Sequence, residues 1–323
     1  MNAQATESLN EPDLRRALVH GFDVGNRYAI VSNYKGNRGL NGTMFRSQAG
    51  SSMEFLEHRD YQPGDDLRHI DWKVMAKRDQ AYLKCFEQES TPVLDIVLDH
   101  SQSMRLVDEH GQAESSKAAG SLKLLAALVA AANNSHFHTK IWTAGSASSQ
   151  LAGLSSSEGG CHLLPTPASH PDSWPLPDFS STQFLSDAFQ ERPPKFRPNG
   201  YRILISDLLF DADPFPVVQQ LVERSQRSVI IQVLSKSDVT PPEHGSIRVV
   251  DSETGETQTV YIDSQLQAQY KESLENHQAR WNESASRNGC LFIPLIAESI
   301  VQRSDLRELE ECQVLVGSNR TGV

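Results

Sequence analysis

Two short runs place oxygen-bearing side chains where they could gather around one ion. Asp99-His100-Ser101-Gln102-Ser103 follows directly on the apolar run Val93 to Leu98. In an extended or gently curving loop, positions 99, 101 and 103 lie on one side, so a carboxylate and two hydroxyls converge. All three offer oxygen, which a hard cation such as Mg²⁺ takes in an octahedral shell completed by water, with Mn²⁺ and Ca²⁺ as alternative occupants. A second apolar run, Tyr201 to Ser206, ends in Asp207. If the two runs are parallel strands of one sheet, Asp99 and Asp207 reach the same edge. Ser180-Ser181-Thr182 lies between them, ahead of a helix, and can add a third hydroxyl. The competing reading is that Ser101 or Ser103 caps one helix and Asp207 another. The residues alone do not choose between the two.

Such a site has a particular charge balance. Two of its ligands are neutral hydroxyls, so a cation held there keeps much of its positive charge and wants a further anionic ligand. A Glu or Asp from a partner protein would fill that position. The same open cation could instead polarise a phosphoryl oxygen, giving a metal-dependent phosphoesterase or other hydrolase built on Asp99 and Asp207. Catalysis would need a positioned general base, and none is evident, so a non-enzymatic role leads. A scaffold with a vacant metal site is the third reading.

The stretch Phe55 to Trp72 is dense in charge of both signs around Pro63-Gly64. Arg59 and Arg68, with Asp65, Asp66 or Asp71, form the material of a structural clamp between domains, with Trp72 packed beside it, because a guanidinium pairs bidentately with a carboxylate. A catalytic carboxylate pair is less favoured there, since acids amid several Arg and Lys stay ionised. Arg27, Lys35, Arg38 and Arg46 fall in a segment without acids, Val24 to Met53, that suits a solvated hairpin face. His136 and His138 alternate on a strand edge but have no third ligand nearby. No GxSxG, GxxxxGK[ST] or strand-following GxGxxG occurs.

The elements that must position these residues follow from pattern. From residue 93 onward, apolar strands (93–98, 137–143, 201–206, 228–234, 290–293) alternate with helices, notably an Ala/Leu-rich one over 114–132 and a last one ending at Gly289. That texture predicts an α/β fold with a doubly wound, mostly parallel sheet covered on both faces. Ligands of such sheets sit at the carboxyl ends of strands. Residues 145–181 form a long Ser/Pro/Gly-rich connection, and 247–262 an exposed hairpin turning near Gly255. The zones are a polar segment 1–18, a small β-rich unit 19–92, the metal-binding domain 93–312 and a flexible tail 313–323.

The 323 residues suit about two domains. With 30 Lys+Arg against 41 Asp+Glu, the net charge of −11 argues against nucleic-acid binding. The longest apolar run, Leu124 to Ala132, is too short for a membrane span, and Met1 to Arg16 has no signal-peptide core, so a cytoplasmic chain is expected. Cys85, Cys161, Cys290 and Cys312 are widely spaced, as reduced thiols would be.

With these residues in place, the sequence resembles the bacterial family called domain of unknown function 58, from about Gly21 to Leu309. The likeness is carried by the run Arg59 to Trp72, then Ala76, Asp99 to Met104, Ser206-Asp207 and Val250 to Glu256. Lys77 stands where that family usually has Arg. The resemblance implies a von Willebrand factor type A-like domain with a metal-ion-dependent adhesion site. By that likeness Asp99, Ser101 and Ser103 form the site's first loop, Asp207 its acidic loop, and Thr182, ahead of Ser180 and Ser181, its threonine. It also implies a MoxR-type AAA+ ATPase as partner, for which such proteins look like adaptors in protein assembly or maturation.

Overall fold

In the computed structural model the apolar strand candidates from residue 93 onward become one sheet. The structure describes residues 11–31, 53–63, 65–78, 80–88, 91–105, 116–146, 159–165, 170–240, 245–250 and 257–318. In chain order the elements are α1 (Glu11–Gly25), β1 (Tyr28–Ile30), β2 (Met53–Asp60), α2 (Trp72–Arg78), β3 (Tyr82–Gln88), β4 (Val93–Asp99), α3 (Lys117–Asn134), β5 (His138–Ala144) and β6 (Cys161–Leu163). They continue with α4 (Leu185–Glu191), β7 (Tyr201–Ser206), α5 (Phe215–Val222), β8 (Arg227–Leu234), α6 (Lys236–Val239), β9 (Gly245–Val250) and β10 (Thr257–Ile262). The last are α7 (Ser264–Arg287), β11 (Cys290–Ile296), α8 (Ala297–Gln302), α9 (Arg307–Glu311) and β12 (Leu315–Gly317).

The six-stranded sheet runs β11-β8-β7-β4-β5-β6, parallel throughout except for β6, which pairs antiparallel with β5. Both faces are covered, as continuous apolar strands require. Leu94, Ile96 and Leu98 of β4 point into a core shared with α1, α3 and α8. Val97 joins Leu204 and Ile230 on the opposite face, against α4, α5 and α7. The period of two along β4 therefore sorts one strand into two cores. α3 is buried along most of its length and begins where the Ser116 hydroxyl accepts the Ala119 N–H, a standard N-cap. Among the described residues no helix is long and apolar enough to cross a membrane.

The unit boundaries differ from those expected. Met1–Val31 groups with Val93–Val323, and Ser32–Pro92 forms the second unit. Leu14, Ala17, Leu18, Gly21 and Val24 are buried along one side of α1, so a segment read as polar is an amphipathic helix lying on α3. The expected tail holds β12, whose Leu315, Val316 and Gly317 pair antiparallel with Ile30, Ala29 and Tyr28. The smaller unit contains the antiparallel pair β2–β3, with a register shift between Phe55 and Glu57. The hairpin over 247–262 is present as β9–β10, its turn at Gly255 lying outside the described residues. In α7 only Trp281 and Ala285 are buried.

Candidate functional site

β4 and β7 are neighbours, so Asp99 and Ser206-Asp207 emerge at one carboxyl edge of the sheet. Asp99 is buried, with Oδ1 accepting the Ser101 N–H at 2.9 Å and Oδ2 accepting the Ser206 hydroxyl at 2.6 Å. Ser101 Oγ and Ser103 Oγ stand 3.0 Å apart. The loop is fixed from the side by Ser181: its carbonyl accepts the Gln102 N–H at 2.8 Å and its N–H donates to the His100 carbonyl at 3.3 Å. Gly145, just past β5, closes the arrangement at φ +136°, and a Cβ there would lie 2.3 Å from Ser181 Oγ. Only glycine fits both the dihedral and the space.

Asp207 is buried on the other side of Ser206. Its Oδ2 accepts Lys117 Nζ at 2.7 Å, and its Oδ1 accepts the Leu209 N–H at 3.3 Å. Lys117 Nζ also stands 3.3 Å from Asp238 Oδ2. Leu208, between these groups, adopts a left-handed φ of 56°, a conformation that costs roughly 1–2 kcal/mol outside glycine. It is retained because Leu208 N–H donates to Ser206 Oγ at 3.0 Å and its carbonyl meets His277 Nε2 at 2.7 Å. Backbone strain of this kind concentrates at functional sites.

Burial, and then the charge of Asp207, push the Asp99 carboxyl up to about 6, against the opposing hydrogen bonds from Ser206 and Ser101. Burial by itself would lower the Lys117 ammonium, but Asp207 and Asp238 outweigh it and hold it above its ordinary value. His100 is pulled down by burial and its Nε2 lies 3.2 Å from the Ser146 carbonyl. Burial, with a smaller contribution from Asp99, raises the Cys161 thiol, which stays protonated.

The expected residues divide accordingly. Asp99, Ser101, Ser103 and Asp207 come together at the sheet edge, whereas the Thr182 side chain is exposed and Ser181 is the hydroxyl residue built into the loop. Lys117 and Ser206 belong to the same network and were not anticipated. One signal for Lys117 was present: a cation at the first position of an apolar helix opposes the macrodipole and needs a reason. In the small unit, Arg59 Nη2 donates to both oxygens of Asp65 at 2.8 Å, and Arg68 pairs with Asp66. Asp71 accepts the Lys73 N–H at the start of α2 and meets His58 Nε2 at 3.0 Å, while Trp72 is exposed. A groove of about 850 Å³ along α1, lined by Arg15, His20, Asp23 and Lys123 among others, contains none of these groups.

Among the described residues no cluster of three or more His, Cys, Asp or Glu could hold a metal ion, so a cation at this edge would rest on hydroxyls. Those hydroxyls fit. Oxygens on adjacent corners of an octahedron with bonds of about 2.1 Å lie about 3.0 Å apart, the separation of Ser101 and Ser103 Oγ. The same separation is an ordinary hydrogen bond without a cation.

The sequence matches the family described as "Protein of unknown function DUF58" over residues 57–280. An uncharacterized protein of Mycobacterium bovis is 26% identical over 276 residues, covering 84% of this chain and 81% of its own length. An uncharacterized protein of Mycobacterium tuberculosis matches to the same extent. Among solved structures, the conserved hypothetical protein BatB from Bacteroides thetaiotaomicron aligns with TM-score 0.31 and 10% identity over 68% of this chain and 98% of that one. An aerotolerance-related membrane protein from Bacteroides fragilis aligns with TM-score 0.30 and 11% identity, over 68% and 99% of the two chains. At such scores the structural likeness carries no argument.

Proposed function

The chain belongs to the DUF58 family, and from that premise we propose that it is a metal-dependent protein-binding adaptor. In this reading the sheet domain is of von Willebrand factor type A kind, and Asp99, Ser101 and Ser103 hold a Mg²⁺ ion, with Asp207 beside them. The ion supplies a Lewis-acidic centre with an open position for a carboxylate oxygen. The chain's own residues present that position at a sheet edge. The partner contributes an Asp or Glu, and a MoxR-type AAA+ ATPase or its client is the candidate partner.

The observation that carries the reading is the Ser101–Ser103 hydroxyl pair, 3.0 Å apart beside a buried Asp99 at the end of β4. The hydrolase reading is less well supported. Asp207 is engaged by Lys117 in a buried ion pair, so it is not presented as a general base.

The test is retention of proteins on the immobilised chain with and without Mg²⁺, alongside calorimetric titration of Mg²⁺. Expected are binding heat, Mg²⁺-dependent retention released by chelator, and loss of both in Asp99→Ala with the circular dichroism spectrum unchanged. Retention that survives both chelation and Asp99→Ala would falsify the reading. Turnover of generic phosphoesters, abolished in Asp207→Asn, would favour the hydrolase instead.

A further inference from the structure

Lys117 is among the largest fully buried side chains of the protein, and it sits at the first turn of α3. Both facts disfavour a charge: burial removes its hydration, and the helix N-terminus is itself the positive end of the macrodipole. Two carboxylates answer it, Asp207 at 2.7 Å and Asp238 at 3.3 Å. Asp238 is fixed independently. Its Oδ2 accepts the Ser235 N–H at 2.8 Å, its own N–H donates to Ser235 Oγ at 3.1 Å, and its carbonyl accepts the Tyr270 hydroxyl of α7 at 2.6 Å. The ammonium therefore spans from the edge residue Asp207 to a carboxylate locked at the end of β8.

Resting on the cation site proposed above, we infer that Lys117 is the positioning and charge-setting residue of that site. It binds Asp207 through Oδ2 and neutralises it, so that the cation is held chiefly by Asp99 and the two hydroxyls and keeps positive charge for an incoming carboxylate. Asp238 sets how firmly Lys117 does this, because the ammonium is shared between the two acids. Removing Lys117 returns a full negative charge to Asp207, which tightens the grip on the divalent cation. Removing the charge of Asp238 leaves Lys117 wholly to Asp207 and loosens it.

The experiment is calorimetric titration of Mg²⁺ into the full chain as wild type, Lys117→Met, Asp238→Asn and the double variant, with thermal melts with and without Mg²⁺. Expected is Mg²⁺ affinity at least about tenfold tighter in Lys117→Met and severalfold weaker in Asp238→Asn, since unit charges this close interact strongly even at an effective dielectric near 20. In the double variant the Asp238→Asn effect shrinks, because the shared ammonium is gone. Wild-type binding with Lys117→Met equal or weaker, or Asp238→Asn without effect, overturns this inference and leaves the cation site standing. No Mg²⁺ binding by any variant removes the site and the inference together. Should Lys117→Met not fold, the sign of the Asp238→Asn change decides.

Discussion

Asp99 is the residue on which local chemistry and folding stability meet. Its carboxyl is raised from 3.8 to about 6 by burial and by Asp207. A group whose folded value lies above its unfolded one binds its proton more tightly in the folded state, so its contribution to stability is full below pH 3.8 and is lost as pH rises through about 6. In chelated buffer, the stability difference between wild type and Asp99→Asn falls as pH is raised across that window, and denaturant titrations at several pH values measure it. A difference that grows with pH would contradict the assignment. Asp99, Ser101, Ser103 and Asp207 were legible because an acid after an apolar strand, and alternate hydroxyls beyond it, form a pattern along the chain. Ser206 and Lys117 were not: their roles depend on atoms 107 and 90 positions away in sequence.

At the scale of elements, α1 depends on two close approaches. A Cβ at Gly21 would stand 2.2 Å from the Lys123 carbonyl oxygen, and one at Gly25 would stand 2.3 Å from that of Ala127. In an exposed helix, Gly→Ala stabilises by about 1 kcal/mol. At Gly21 the sign reverses, because the new methyl meets backbone of α3 that cannot step aside. Gly21→Ala is expected to lose about 1–3 kcal/mol by urea denaturation, the range typical of overpacking. No loss would mean that α1 does not lie tightly on α3. The 3.6-residue periodicity of Leu14, Leu18, Gly21 and Val24 was in the sequence, but the charged residues around it masked it. α3 was readable, since a run of Ala and Leu that long has to be covered on every side. β6 was not, because three residues inside a Ser/Pro-rich connection carry no periodic signal.

At the scale of the larger unit, the segments 11–31 and 314–318 contribute to one structure. β12 pairs with β1, and Val314 and Leu315 are buried in the core shared with α1 and α3. Ending the chain after Cys312 removes two side chains worth roughly 1.5–3 kcal/mol each and leaves β1 unpaired. A thermal midpoint lowered by several degrees is expected, and an unchanged midpoint would show the pairing to be dispensable. The sequence by itself determined the α/β alternation, the mostly parallel sheet and the oxygen-rich edge at Asp99 and Asp207, since these follow from apolar period and from residues close along the chain. Only the tertiary structure decided that residues 11–31 and 314–318 join the sheet unit, that Ser181 rather than Thr182 is buried and bonded through its backbone to the loop after β4, and that a buried lysine divides itself between two acids. These outcomes depend on burial and on charges brought together from distant segments, and no local pattern records them.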